Sequence, residues 1–76
     1  MLYNLYQGGI SMFSYKPLFR LLLERDISKT ELGEKLGFGS KTVAKFAKNE
    51  YVSMKTLDDI CKFLDCKIED IIEHQP

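Results

Sequence analysis

Apolar residues recur at helical spacing through most of this 76-residue chain. Leu18, Leu21 and Leu22 stand three and four positions apart, and Arg25 completes the series. This predicts a first helix from Tyr15 or Lys16 to Arg25 or Asp26, with the leucines as its core stripe and Phe19 and Leu23 extending or flanking it. Ser14 is placed to cap this helix, and Pro17 falls in its first turn, where a missing N–H costs little. A second helix starts at the pair Ser28 and Glu31, the Ser-x-x-Glu of a capping box, with Ile27 and Leu32 in the positions of a hydrophobic staple. Leu32 and Leu36 share a face, and Gly37 stops the helix. So short a helix is not stable alone and must pack on a neighbour.

A third helix is predicted from Gly39 or Ser40 to about Lys48. A fourth follows Ser53, with Leu57, Ile60, Cys61 and Leu64 on its inner face. After a break at Asp65-Cys66-Lys67, a short fifth runs from about Ile68 to Glu73, with Ile68 and Ile71 assigned to the core. No stretch outside the N-terminal segment shows strand alternation. The expectation is an all-α fold, a compact bundle of five helices with short connections.

Residues 1–13 form a separate region on this reading, and residues 14–76 form the domain. The first twelve residues carry no charge, contain Gly8-Gly9 and lack a helical period. They read as an N-terminal arm or short strand, with Leu2, Tyr3, Leu5 and Tyr6 available for contacts. They read equally as a translated ribosome-binding site, since CAA GGA GGA encodes Gln7-Gly8-Gly9, with Met12 as the start.

A chain of this length makes one small domain, which buries about 60% of its unfolded surface. No apolar run approaches the roughly 18 residues of a membrane span, and no secretory signal is visible. Cys61 and Cys66 lack the spacing of a redox or zinc motif, and His74 is the only histidine. No metal or cofactor is expected, and the cysteines read as small hydrophobes. The expected compartment is the cytoplasm. No nucleophile–base pair or phosphate-binding loop suggests an enzyme.

Charge changes this picture. The formal net charge is zero, yet it is unevenly spread. Residues 28–55 carry six lysines against three glutamates, a net of +3, while residues 56–76 carry two lysines against six acids, a net of −4. Within the third helix, at about 100° per residue, Lys41, Lys45 and Lys48 fall on one side and Val43, Phe46 and Ala47 on the other. Ala44 lies beside the lysines and Thr42 on the opposite flank.

From Tyr15 to Glu73 these residues resemble the lambda-repressor-like, Cro/CI-type helix-turn-helix domain, also called the xenobiotic-response-element family. The resemblance rests on Ser28-Lys29-Thr30-Glu31-Leu32 and on Leu36-Gly37-Phe38-Gly39-Ser40-Lys41-Thr42-Val43. The stretch from Leu57 to Ile71 adds to it, with the wording I-C-x-x-L-x-C-x-I-x-D-I of small stand-alone bacterial and phage regulators. The chain departs from the family pattern at three positions. Lys29 stands where Gln is frequent, Gly33 where a small residue, usually Ala, lies at the helix crossing, and Gly39 where Ser or Thr caps the recognition helix. Ser40 then becomes the candidate cap.

The resemblance implies binding to double-stranded DNA by a small transcriptional regulator, most often a repressor. The third helix would enter the major groove while the second crosses the backbone. On that reading Ser40, Lys41 and Lys45 lie near base edges, with Ala44 as an apolar contact, and Lys29, Thr42, Lys48 and Asn49 lie at phosphates. A lysine face is ordinarily only a solvated face. Three observations weigh against that here: the helix-turn-helix setting, the absence of acids among the three lysines, and the displacement of acids to the chain end. A homodimer on two half-sites is expected, with either the isoleucines of the fifth helix or the N-terminal arm at its interface. The alternative function is an antitoxin or adaptor module whose bundle serves a protein partner.

Overall fold

A computed structural model of the chain describes residues 12–75; the segment read as an N-terminal arm lies outside these except for its last two residues. The element order is β1 (Phe13–Ser14), α1 (Lys16–Glu24), α2 (Lys29–Leu36), α3 (Ser40–Ala47), α4 (Met54–Leu64), a 3-10 turn (Ile68–Asp70) and β2 (Glu73–His74). The four α-helices surround a core of Tyr15, Leu18, Leu22, Leu32, Phe46, Leu57, Ile60, Leu64 and Ile71. α2 packs on both α3 and α4, and the 3-10 turn packs on α1 and α4.

The expected fifth helix is therefore a single 3-10 turn, and two short strands form at Phe13–Ser14 and Glu73–His74, the former just outside the first twelve residues read as an arm or short strand. Asp70 Oδ2 accepts the Lys67 N–H at 2.9 Å, which closes the turn. The chain then extends, and β2 pairs antiparallel with β1, Phe13 opposite His74 and Ser14 opposite Glu73. Gln75 donates its N–H to the Met12 carbonyl at 2.7 Å, extending this contact. Phe13 thus belongs with the folded unit. Strands of two residues cannot show alternation, so periodicity could not reveal them. Ser14 lies buried in β1 instead of capping α1. Its Oγ still accepts the Lys16 N–H at 3.2 Å, while Tyr15 holds the cap position without a side-chain cap.

Several side-chain placements also differ from the periodic reading. Ile71 is fully buried, but Ile68 is 44% exposed, because the 3-10 turn rotates successive residues by more than a helix does. Leu23 is 82% exposed and extends no stripe. Ala47 is exposed at the end of α3, leaving Phe46 as the buried residue of that helix, with Val43 half-buried. The capping predictions for α2 and α4 hold. Ser28 Oγ accepts the Glu31 N–H at 3.0 Å, and Ser53 Oγ accepts the Thr56 N–H at 3.1 Å.

All four helices end the same way. Asp26, Gly37, Asn49 and Asp65 each take a left-handed backbone conformation. In each case the next residue's N–H returns to a carbonyl five residues earlier: Ile27 to Leu22, Phe38 to Gly33, Glu50 to Lys45 and Cys66 to Cys61. This pattern satisfies carbonyls that a helix end leaves open and brings the two residues of each pair together. It is why Cys61 and Cys66, both half-buried free thiols, are neighbours. Burial pushes the Cys66 thiol from an ordinary 9.0 up to about 11, and adjacent Cys61 adds to the shift. Burial likewise raises the Tyr15 phenol above its ordinary 10.0.

Gly33, buried in α2, sets how closely α2 approaches the turn and α3. A methyl group there would lie 2.9 Å from the Phe38 carbonyl oxygen and 3.3 Å from Val43 Cγ2. The first contact is with backbone, so the turn itself would have to shift.

Four expected outcomes follow from this packing. Asp65→Gly relieves a left-handed residue and should raise stability by about 0.5–1 kcal/mol in denaturant melts. Asn49→Gly should bring no such gain, because it removes the acceptor of a main-chain bond from Tyr15 worth about 1 kcal/mol. Gly33→Ala adds about 1 kcal/mol of helix propensity but overpacks the turn, an effect of about 1–3 kcal/mol. Its net effect should be a lower thermal midpoint, and an unchanged midpoint would show that the turn yields freely. Cys66 and Tyr15 both hold their protons more tightly folded than unfolded. The Cys66 contribution should be complete below about pH 9 and be lost as pH rises through about 11, measured by melts across that range, and the Tyr15 phenol adds a loss of the same sign at alkaline pH.

Candidate nucleic-acid interface

α2, the turn Gly37–Gly39 and α3 form a helix-turn-helix. Its geometry is set at both ends of α3. At the start, Gly37 turns the chain with φ 78°, and Gly39 takes the cap position in an extended conformation with no side-chain cap bond. Ser40 is the first helical residue and does not act as the cap. The carbonyl of Gly39 accepts the N–H groups of Thr42 and Val43 at 3.1 and 3.2 Å. The N–H groups of Ser40 and Lys41 therefore open α3 without a side-chain acceptor, and the dipole at this end favours an anion.

The middle of α3 is held by Phe46. Its ring meets Tyr15 edge-on at 4.8 Å between centroids and Phe38, from the turn, at 6.0 Å. At the far end, Asn49 Oδ1 accepts the Tyr15 main-chain N–H at 3.1 Å, and the Tyr15 hydroxyl donates to the Glu50 carbonyl at 2.7 Å. Tyr15 thus grips the residues after α3 from two directions. No local signal identifies this role, because the partners lie 34 and 35 positions apart. A large aromatic residue beside the predicted start of α1 was the only hint. Arg25 was likewise missed as a support: its Nη1 donates to the Leu64 carbonyl at 2.7 Å and ties α1 to the end of α4.

With Phe46 directed inward, the opposite face of α3 is presented outward. Ser40, Lys41, Ala44, Lys45 and Lys48 are all exposed, and Thr42 is half-buried. Among the described residues the ion pairs are Lys55–Asp59 and Lys62–Asp58, both within α4. Lys41 and Lys45 of α3 and Lys48 at its end are therefore in no ion pair among the described residues. Lys29 is the first residue of α2, with its Nζ 4.3 Å above the Phe19 ring, which steadies the side chain through a cation–π contact. Asn49 is placed differently from the other candidates. Its oxygen accepts from Tyr15, and its amide nitrogen is left as a donor.

The described residues contain no cluster of His, Cys, Asp or Glu able to hold a metal, and no described helix is long and apolar enough to cross a membrane.

Comparison with known proteins agrees with this architecture. The chain is 46% identical to the transcriptional regulator VanUg in its crystal structure, with a TM-score of 0.82 over 86% of this chain and 87% of that one. It is 35% identical over 57 residues to YozG of Bacillus subtilis (strain 168), described as an uncharacterized HTH-type transcriptional regulator, covering 72% of this chain and 68% of the relative. The model of the Cro/C1-type HTH DNA-binding domain matches residues 18–76, from the middle of α1 through β2. The chain belongs to the Cro/C1-type helix-turn-helix DNA-binding domain family.

Proposed function

We propose that this protein is a sequence-specific regulator of transcription, acting as a repressor, that places α3 in the major groove of double-stranded DNA. The observation that carries the reading is the exposed face of Lys41, Lys45 and Lys48, in no ion pair among the described residues and set opposite the buried Phe46. A groove about 12 Å wide admits one helix. Lys41 and Lys45 then donate to guanine edges, Ser40 reaches a base near the open start of α3, and Ala44 meets a thymine methyl. Lys29, Thr42 and Lys48 meet phosphates, and the Asn49 amide nitrogen adds a weaker contact. Its family and its two regulator relatives support the regulatory role. The working compartment is the cytoplasm, at the nucleoid, and the binding unit is a homodimer.

The test is selection of bound sequences from random double-stranded DNA. The expected product is a palindrome whose half-sites lie about one helical turn, roughly 34–36 Å, apart. Lys48→Ala should lower the dependence of log affinity on log salt by about one phosphate's worth, a slope change of about 0.9, and leave base preference intact. Lys45→Ala should relax preference at one base position. A double variant, Lys41→Ala with Lys45→Ala, that bound DNA as the wild type does would refute the assignment of this face.

A further inference from the structure

Lys29 opens α2, where a lysine is electrostatically misplaced. The start of a helix carries partial positive charge, which favours an acid and disfavours an ammonium. Its own helix offers no compensation. The residues three and four positions on, Leu32 and Gly33, are uncharged, and Lys29 is in no ion pair among the described residues. The ammonium meets α1 instead, with Nζ 4.3 Å from the centre of the Phe19 ring. That ring is half-buried and packed against the core, so it is a fixed surface, while Lys29 is exposed. Beside the contact lies an open recess of about 190 Å³ lined by Phe19, Leu22, Leu23, Ile27, Ser28 and Lys29. A lysine stem can cover such apolar surface while its charged head stays in water.

We propose that Phe19 is a positioning residue for DNA binding: its ring holds the Lys29 ammonium at the start of α2, so that the phosphate contact assigned above to Lys29 forms with little further loss of side-chain freedom. The inference rests on the DNA-binding reading. Three features support it.

The first is entropy. A lysine has a long flexible stem and loses much rotamer freedom when it pins an anion. A head already resting on a ring has given up part of that freedom on folding, so less is lost on binding.

The second is charge. A carboxylate could hold the ammonium equally well, but it would neutralise it and compete with a phosphate. A ring face attracts the cation and leaves its net charge intact.

The third is place. Ser28 Oγ takes the Glu31 N–H, and the Ser28 carbonyl takes the Leu32 N–H. The N–H groups of Lys29 and Thr30 therefore open α2 outside its helical bonds. A phosphate meeting the held ammonium there also relieves the repulsion between that ammonium and the helix start.

The experiment measures affinity and its salt dependence on a duplex carrying one half-site recovered by the selection described above. It uses Phe19→Leu, Lys29→Ala, the double variant and Phe19→Tyr, at a temperature where thermal melts show each to be folded. Phe19→Leu should weaken binding about 2–5-fold, the worth of an exposed cation–π contact, and leave the salt slope unchanged because the lysine charge remains. Lys29→Ala should lower that slope by about 0.9. In the Lys29→Ala background the Phe19→Leu change should have no effect, and Phe19→Tyr, which keeps the ring face, should bind as the wild type does. Nuclear magnetic resonance of the wild type supplies a readout that needs no variant. The Lys29 protons next to Nζ should be shifted upfield by the ring in the free protein and stay so when DNA is bound.

Equal weakening by Phe19→Leu with and without Lys29 would make the ring merely structural and overturn the proposal. So would full or increased affinity in Phe19→Leu, failure of Phe19→Tyr to match the wild type, absence of the upfield shift, or its collapse on DNA. A wild type that shows the shift and binds no duplex would overturn the DNA-binding reading itself, and the role of Phe19 with it.

Discussion

The presentation of α3 depends on Tyr15. This residue stands between β1 and α1, with its ring against Phe46 and its hydroxyl and main-chain N–H bonded to Glu50 and Asn49. One residue therefore positions the middle of α3 by packing and its exit by hydrogen bonds. The ring fills space in the core, while the hydroxyl donates to the Glu50 carbonyl and the main-chain N–H to the Asn49 side-chain oxygen. The left-handed conformation of Asn49 aims its side-chain oxygen back at Tyr15. The cost of that conformation is offset by the bond it permits.

The opposite end of α3 is set by an absence. Gly33 lacks a side chain where α2 meets the Phe38 carbonyl, and a methyl group would intrude there at 2.9 Å. Close approach at this point and the grip of Tyr15 at the other end hold α3 as a rigid bar. A rigid mount favours reading a groove, because displacement of a helix by an ångström misaligns hydrogen bonds with base edges. The lysines can be long and flexible on such a bar, since the bar carries the geometry and the lysines carry charge.

Neutral composition conceals the electrostatic organisation. α4 pairs its lysines with its own acids, Lys55 with Asp59 and Lys62 with Asp58, whereas α3 contains no acid at all. Both arrangements concern exposed groups, so neither contributes much to folding. Their difference matters for partners. Charge that is compensated locally projects little field, and charge left uncompensated on one helix face attracts a polyanion.

The four α-helices, the caps of α2 and α4 and the outward lysine face were legible in the chain, because they depend on residues within one or two turns of each other, whereas Ser14 and Ser40 do not cap α1 and α3 as their positions suggested. Ser28 with Glu31 and Ser53 with Thr56 are local contacts, and so is the opposition of Lys41, Lys45 and Lys48 to Phe46. Helix endings were only partly legible: Gly37 announces a left-handed residue, whereas Asp26, Asn49 and Asp65 adopt the same conformation without that signal. The β1–β2 pairing, the 3-10 turn in place of a fifth helix, the exposure of Ile68 and the role of Tyr15 were decided by tertiary structure. Each depends on partners far along the chain, and periodicity reports only which side of an element is apolar. By itself the sequence determined the helical architecture and where the positive charge lies. Long-range packing alone decided how firmly α3 is held, and which apolar residues were left on the surface beside it.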